Sequence, residues 1–178
     1  PAVVTASPAD EPLTSLKGEL DTYRVVMALA GPFKGKPVLD LGFSNYYQPS
    51  GKFDFHEGDI VRLSKGKLEL VKKASKSFAP LQIFSYRAYV LEVTDGDTLW
   101  VLIDLGFGFT TKQHLRLRGL DTPEIVTRDG QAAKDFLERR LKSAPEVLIT
   151  STRSDKYDRY LADLWAGEKY LNQALIDE

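Results

Sequence analysis

The sequence predicts an α+β chain dominated by small β-barrels, with a barrel-like β domain first and a second barrel that carries helices. Two observations predict this. Short apolar–polar alternations recur between glycine turns along most of the chain, as closed or sandwiched sheets require. Helical stripes occur only twice, both in the second half, so strands and helices are segregated rather than alternating.

Residues 1–20 are rich in Pro, Ala, Ser and Thr without a sustained period, and are expected to form a flexible leader. Strand-like runs follow at Tyr23–Leu29, Pro37–Phe43, Phe53–Phe55, Ile60–Leu63 and Leu68–Val71, with Gly31-Pro32, Glu57-Gly58-Asp59 and Lys65-Gly66 as breaks. These define a small β domain over 21–80, whose final residues, 72–80, read as a linker. The second domain is expected over 84–178. Tyr86–Val93 and Thr98–Leu105 flank the tight turn Thr94-Asp95-Gly96-Asp97. In His114–Leu120 polar and apolar residues alternate, so Arg116 and Arg118 share one face. Asp129 is a plausible N-cap for a helix over Gln131–Leu141, with Ala133, Phe136, Leu137 and Leu141 on one stripe. Val147–Ile149 is a strand, 151–158 a polar loop, Arg159–Trp165 a strand and Tyr170–Ile176 a closing helix.

Composition bounds the chemistry. The chain has 178 residues, 24 Lys plus Arg against 25 Asp plus Glu, and no cysteine. Disulfide scaffolds, cysteine-ligated zinc and thiol catalysis are therefore excluded. The two histidines, His56 and His114, are too few for a histidine-rich metal centre. No apolar run approaches the roughly 20 residues of a membrane-spanning helix. Charge is uneven: Arg62, Lys65, Lys67, Lys72, Lys73 and Lys76 are opposed locally only by Glu69, whereas the second half is net acidic.

The acidic half contains a set that points to phosphodiester chemistry: Asp97, Arg116, Asp121, Glu124 and Arg159. A hard divalent cation takes oxygen ligands, which Asp97, Asp121 and the Thr122 carbonyl can supply. A phosphodiester under attack needs its oxygens neutralised, as an arginine pair and a cation would do. A water nucleophile needs an acceptor, and Glu124 is aimed by the turn at Pro123.

Asp95-Gly96-Asp97-Thr98, Leu115 through Glu124, Asp155 through Arg159, and Leu171-Asn172-Gln173-Ala174-Leu175 together resemble the thermonuclease (staphylococcal nuclease-like) family. The motifs come in the family's order and spacing over residues 86–178. The resemblance implies an oligonucleotide/oligosaccharide-binding (OB) barrel with helices, and calcium-dependent cleavage of DNA and RNA. By the same resemblance Asp97, Asp121 and Thr122 look like the Ca²⁺ ligands and Glu124 like the residue that positions or deprotonates water. Arg116 and Arg159 look like the pair that grips the scissile phosphate. Lys156 and Tyr157 resemble residues holding a terminal phosphate, and Asp95 an accessory carboxylate acting through water.

The loop between Glu124 and the helix is short. The family continues past the position of Glu178 into a segment with substrate-stacking tyrosines, so the sequence is expected to be cut short there. A first residue of Pro, the absence of cysteine and the family's tendency suggest a processed, secreted or periplasmic protein. The competing class is a non-catalytic nucleic-acid-binding or protein-scaffold module of the same fold, which would be expected to lose acids or arginines of the set; all are kept. In the first domain, Tyr46, Tyr47, Phe53 and Phe55 near the basic run read either as base-stacking rings or as filling of a small, OB-like core. The partner implied is nucleic acid; oligomeric state is not legible.

Overall fold

Period-two alternation dictates most of the architecture. The computed structural model describes residues 5–6, 12–74, 83–154 and 160–177. Within these the strands are β1 (Thr5–Ala6), β2 (Thr22–Met27), β3 (Pro37–Gly42), β4 (Asn45–Tyr47), β5 (Ile60–Ser64), β6 (Lys67–Lys72), β7 (Ser85–Asp95), β8 (Thr98–Gly106), β9 (Phe109–Leu117), β10 (Leu120–Asp121), β11 (Glu146–Ser154), β12 (Tyr160–Ala166) and β13 (Lys169–Tyr170). The helices are α1 (Arg128–Lys142) and α2 (Leu171–Ile176), with one 3₁₀ turn at Gly31–Phe33. The chain divides into two units. One comprises Gly18–Ser85 with Leu105–Phe109, the other Pro1–Lys17, Tyr86–Asp104 and Thr110–Glu178.

In the C-terminal unit the sheet order is β11-β7-β8-β9-β12-β13, and β11 also pairs with β12, which closes a five-stranded barrel. Closure runs through an antiparallel β11–β12 ladder and a parallel β9–β12 ladder that sets Leu161 opposite Arg116. Alternation on β8 buries Leu99, Val101 and Ile103, and on β9 it buries Leu115 and Leu117. Ile149, Leu164, Leu137 of α1, and Leu171 and Leu175 of α2 complete this core. Fully burying such a side chain is worth about 1.5–3 kcal/mol, which fixes the register of each strand.

Three local readings change. The helix cap is Thr127 rather than Asp129: its Oγ accepts from Gly130 N at 3.0 Å, and Asp129 instead places its charge in the first turn. Phe53 and Phe55 alternate but join no strand; the third strand of the first unit is the shorter β4. Residues 151–154, expected in a loop, extend β11.

Residues 13–17, part of the expected leader, dock on the C-terminal unit. Arg118 donates to Thr14 O at 3.0 Å, Ser15 Oγ donates to Asp163 at 2.8 Å, and Leu13 N donates to Gln173 Oε1 at 2.5 Å. Farther towards the N-terminus, Thr5 pairs with Asp121 and Ala6 with Leu120 in an antiparallel ladder.

The first unit is an antiparallel sheet in the order β4-β3-β2-β5-β6, with Tyr23, Val25, Val38, Leu39, Leu41, Ile60 and Val61 buried. Asp59 closes the turn before β5: its carboxylate accepts from His56 N and Ala74 N, both at 2.9 Å.

Candidate active site

The β7–β8 turn is held from three sides. Asp95 Oδ1 accepts from Gly96 N at 2.7 Å, and Asp97 O accepts from Leu117 N at 2.7 Å. A Cβ on Gly96 would lie 2.7 Å from Ala133 Cβ of α1 and 3.0 Å from Thr122 Cγ2, so only glycine admits both neighbours.

That turn delivers Asp97 into the protein, with only 2% of its surface exposed. A buried carboxylate needs several partners. Asp97 Oδ1 accepts from Thr98 Oγ at 2.7 Å, and Oδ2 accepts from Thr122 N at 3.3 Å and lies 3.0 Å from Arg116 Nη2. The same Arg116 nitrogen lies 2.9 Å from Asp121 Oδ1 and donates to Leu120 O at 3.2 Å. Thus one guanidinium nitrogen bridges a buried carboxylate and an open one, the Asp121 side chain being 83% exposed. Thr122 Oγ, next to Asp121 in sequence, is buried and has no hydrogen-bond partner among the described residues.

Glu124 is placed through its main chain. Its carbonyl accepts from Thr127 N at 2.9 Å and from Thr127 Oγ at 2.7 Å, while that Oγ caps α1. A Cβ on Gly130 would fall 2.1 Å from Glu124 O and 2.5 Å from Pro123 O, so the Pro123-Glu124 turn rests directly on the helix start. The Glu124 side chain is exposed.

The structure therefore brings together Asp97, Arg116, Asp121 and Thr122, with Glu124 two residues beyond Thr122 on a braced turn. Asp95 serves its own turn. Arg159, Lys156 and Tyr157 lie outside the described residues. Among the described residues no group of three carboxylates or imidazoles gathers as a metal cage. The two carboxylates that meet, Asp97 and Asp121, do so through Arg116, and Thr122 joins them through its main-chain N–H on Asp97.

A polar network absent from the sequence reading supports this region from behind. Arg118 Nε donates to both oxygens of Asp163, at 3.0 and 3.1 Å, and Tyr170 Oη donates to Asp163 Oδ1 at 2.5 Å. Burial works against the Arg118 charge, but hydrogen bonding and attraction to Asp163 outweigh it, so its pKa is raised. For Tyr170, burial and then the bond to Asp163 push the phenol well above its usual value. Asn172, fully buried, donates to Arg118 O and Ala162 O at 3.0 Å and accepts from Leu164 N at 2.9 Å. The signal available in sequence was Asp163 itself, an acid inside the apolar run Leu161–Trp165, which demands a buried partner.

The model of the staphylococcal nuclease homologue family matches residues 114–178. A thermonuclease of Staphylococcus hyicus is 35% identical over 96 residues, spanning 50% of this chain and 54% of the relative. A thermonuclease of Staphylococcus intermedius is 35% identical over 97 residues, with the same coverage. The chain spans about half the length of the curated relatives it matches. With its closed barrel, its two helices and these similarities, the C-terminal half of the chain is staphylococcal nuclease-like.

Proposed function

We propose that the C-terminal unit is a metal-dependent nuclease that hydrolyses phosphodiester bonds of DNA, RNA or both. The observation that carries the proposal is the convergence of Asp97 and Asp121 on the Arg116 guanidinium, with Thr122 N bonded to Asp97. Two carboxylates around one guanidinium leave the site a negative charge in surplus, so it calls for a cation before a phosphodiester can be neutralised there. The similarity to thermonucleases points to the same reaction.

Asp97, Asp121 and the Thr122 carbonyl would hold Ca²⁺. Calcium, when bound, would draw charge from a phosphate oxygen and raise the acidity of a neighbouring water. The planar fork of Arg116 suits two oxygens of a phosphate, and Arg159 would be the second grip. Glu124 would orient the attacking water and accept its proton, while Asp95 acts through water. Lys156 and Tyr157 would hold a terminal phosphate. By the same resemblance the protein is secreted or periplasmic.

The test is hydrolysis of labelled single-stranded DNA and RNA with Ca²⁺ or with chelator. Glu124→Gln should leave calcium binding intact and lower kcat by roughly 10²–10⁴-fold. Calcium-independent cleavage would remove the metal role. Oligonucleotide binding with no cleavage under any condition would make this unit a non-catalytic module.

A further inference from the structure

The two units share a strand logic. In the C-terminal barrel the five strands β7, β8, β9, β11 and β12 are joined first to second, second to third, first to fourth, fourth to fifth, and third to fifth. In the first unit β2, β3, β4, β5 and β6 repeat four of these joins: β2–β3, β3–β4, β2–β5 and β5–β6. Only the join of third to fifth, β4 to β6, is absent among the described residues. The first unit is thus an OB-type barrel left open along one seam.

A groove of about 630 Å³ lies at that seam. Its walls come from the end of β4, the 49–55 connection and the β5–β6 turn, and include Tyr47, Phe53, Phe55 and Phe107, with Lys52 and Lys67 at the rim. All four rings are only partly covered. Phe53 and Phe55 meet edge to face at 5.3 Å, and Tyr47 and Phe107 lie 4.6 Å apart. Lys52 is paired with Asp54 at 2.7 Å, and Lys67 is exposed at the head of β6, in the run with Lys65, Lys72 and Lys73. Rings in an open groove with cations on its rim match the two needs of an unpaired strand: faces for bases and charge for phosphates. Oligosaccharides also use aromatic grooves in this type of barrel, but they do not call for lysines.

We propose that the open seam of the first unit binds single-stranded nucleic acid without sequence preference, a base stacking on the exposed rings while Lys67 and Lys52 meet flanking phosphates. This binding is separate from hydrolysis and needs no metal.

The test uses the whole chain in excess chelator, with a thymidylate oligomer carrying one 2-aminopurine. Anisotropy should report binding that falls with salt, and 2-aminopurine fluorescence should be quenched by stacking. Phe53→Leu, which keeps apolar bulk but removes a ring, should relieve the quenching and weaken binding roughly 5- to 150-fold. Lys67→Gln, on an exposed side chain, should lower the salt slope by about 0.7 and leave the fold untouched. It decides the matter even if Phe53→Leu unfolds. The proposal is overturned if the salt slope is unchanged in Lys67→Gln, or if quenching and affinity are unchanged in folded Phe53→Leu. It is equally overturned if duplex binds as tightly as single strand, or if a neutral glucan or a proline-rich peptide binds where the oligonucleotide does not.

Discussion

Gly130→Ala probes how the helix start aims Glu124. The added methyl would lie 2.1 Å from Glu124 O, where an ordinary carbon–oxygen contact is about 3.3 Å or more, so the turn must retreat by about 1 Å. Forced packing of this kind costs about 1–3 kcal/mol, and loss of the Thr127 cap adds about 1 kcal/mol. Alanine's better helix propensity offsets about 1 kcal/mol at most. A net loss near 2 kcal/mol should lower the melting temperature of this unit by roughly 8–16 °C. Both tryptophans, Trp100 and Trp165, belong to the C-terminal unit, so tryptophan fluorescence follows its melting without interference from the first. A 1 Å misplacement of Glu124 should also lower kcat about 100-fold. Unchanged melting would refute the steric reasoning. Lowered melting with an unchanged rate would refute the role given to Glu124 while leaving the packing intact.

Gly96→Ala should destabilise the same unit by about 1–3 kcal/mol, because its Cβ would meet Ala133 Cβ at 2.7 Å. Adding Ala133→Gly should restore part of that loss in a thermal melt, and no restoration would place the clash elsewhere. Tyr170→Phe should cost about 1–2 kcal/mol by removing the hydrogen bond to Asp163. Since the Tyr170 pKa is raised on folding, its contribution is complete below the unfolded value near 10 and is lost as pH rises through the folded value. Denaturant titrations should therefore show the parent losing stability above about pH 10 more steeply than the Phe variant. Equal slopes would remove Tyr170 as the cause.

Legibility followed the range of the interactions. Strand β8 was readable because every second residue must enter the barrel, and Leu99, Val101 and Ile103 do. Of β9 only the end, with Leu115 and Leu117, was legible, since the strand begins at Phe109 and stops at Leu117 rather than spanning His114–Leu120. Alternation failed at Phe53 and Phe55, where two rings have the right spacing but no partner strand; their outlet is a groove wall instead. The helix start was misread by two residues because Asp129 and Thr127 are both good caps. The choice falls to Thr127 because its hydroxyl also serves Glu124 O, a bond outside the helix.

Arg116 and Arg118 show where pattern reading stops. The alternation in His114–Leu120 puts both on one strand face, but β9 ends at Leu117 and Arg118 stands in the turn after it; the burial of Leu115 and Leu117 follows the alternation. A shared face says nothing of partners. Arg116 meets Asp97, across the barrel strands, and Asp121, five residues on, two carboxylates already grouped with it by their chemistry. Arg118 meets Asp163, Tyr170 and the carbonyl of Thr14, the last of these 104 residues away. No local period encodes a contact made to a distant main-chain oxygen, so the docking of residues 13–17 could not be read from their composition. Yet the physical demand was present. An arginine that leaves water needs acceptors, and a carboxylate inside an apolar strand needs donors. Those two demands, 45 residues apart, are met by each other.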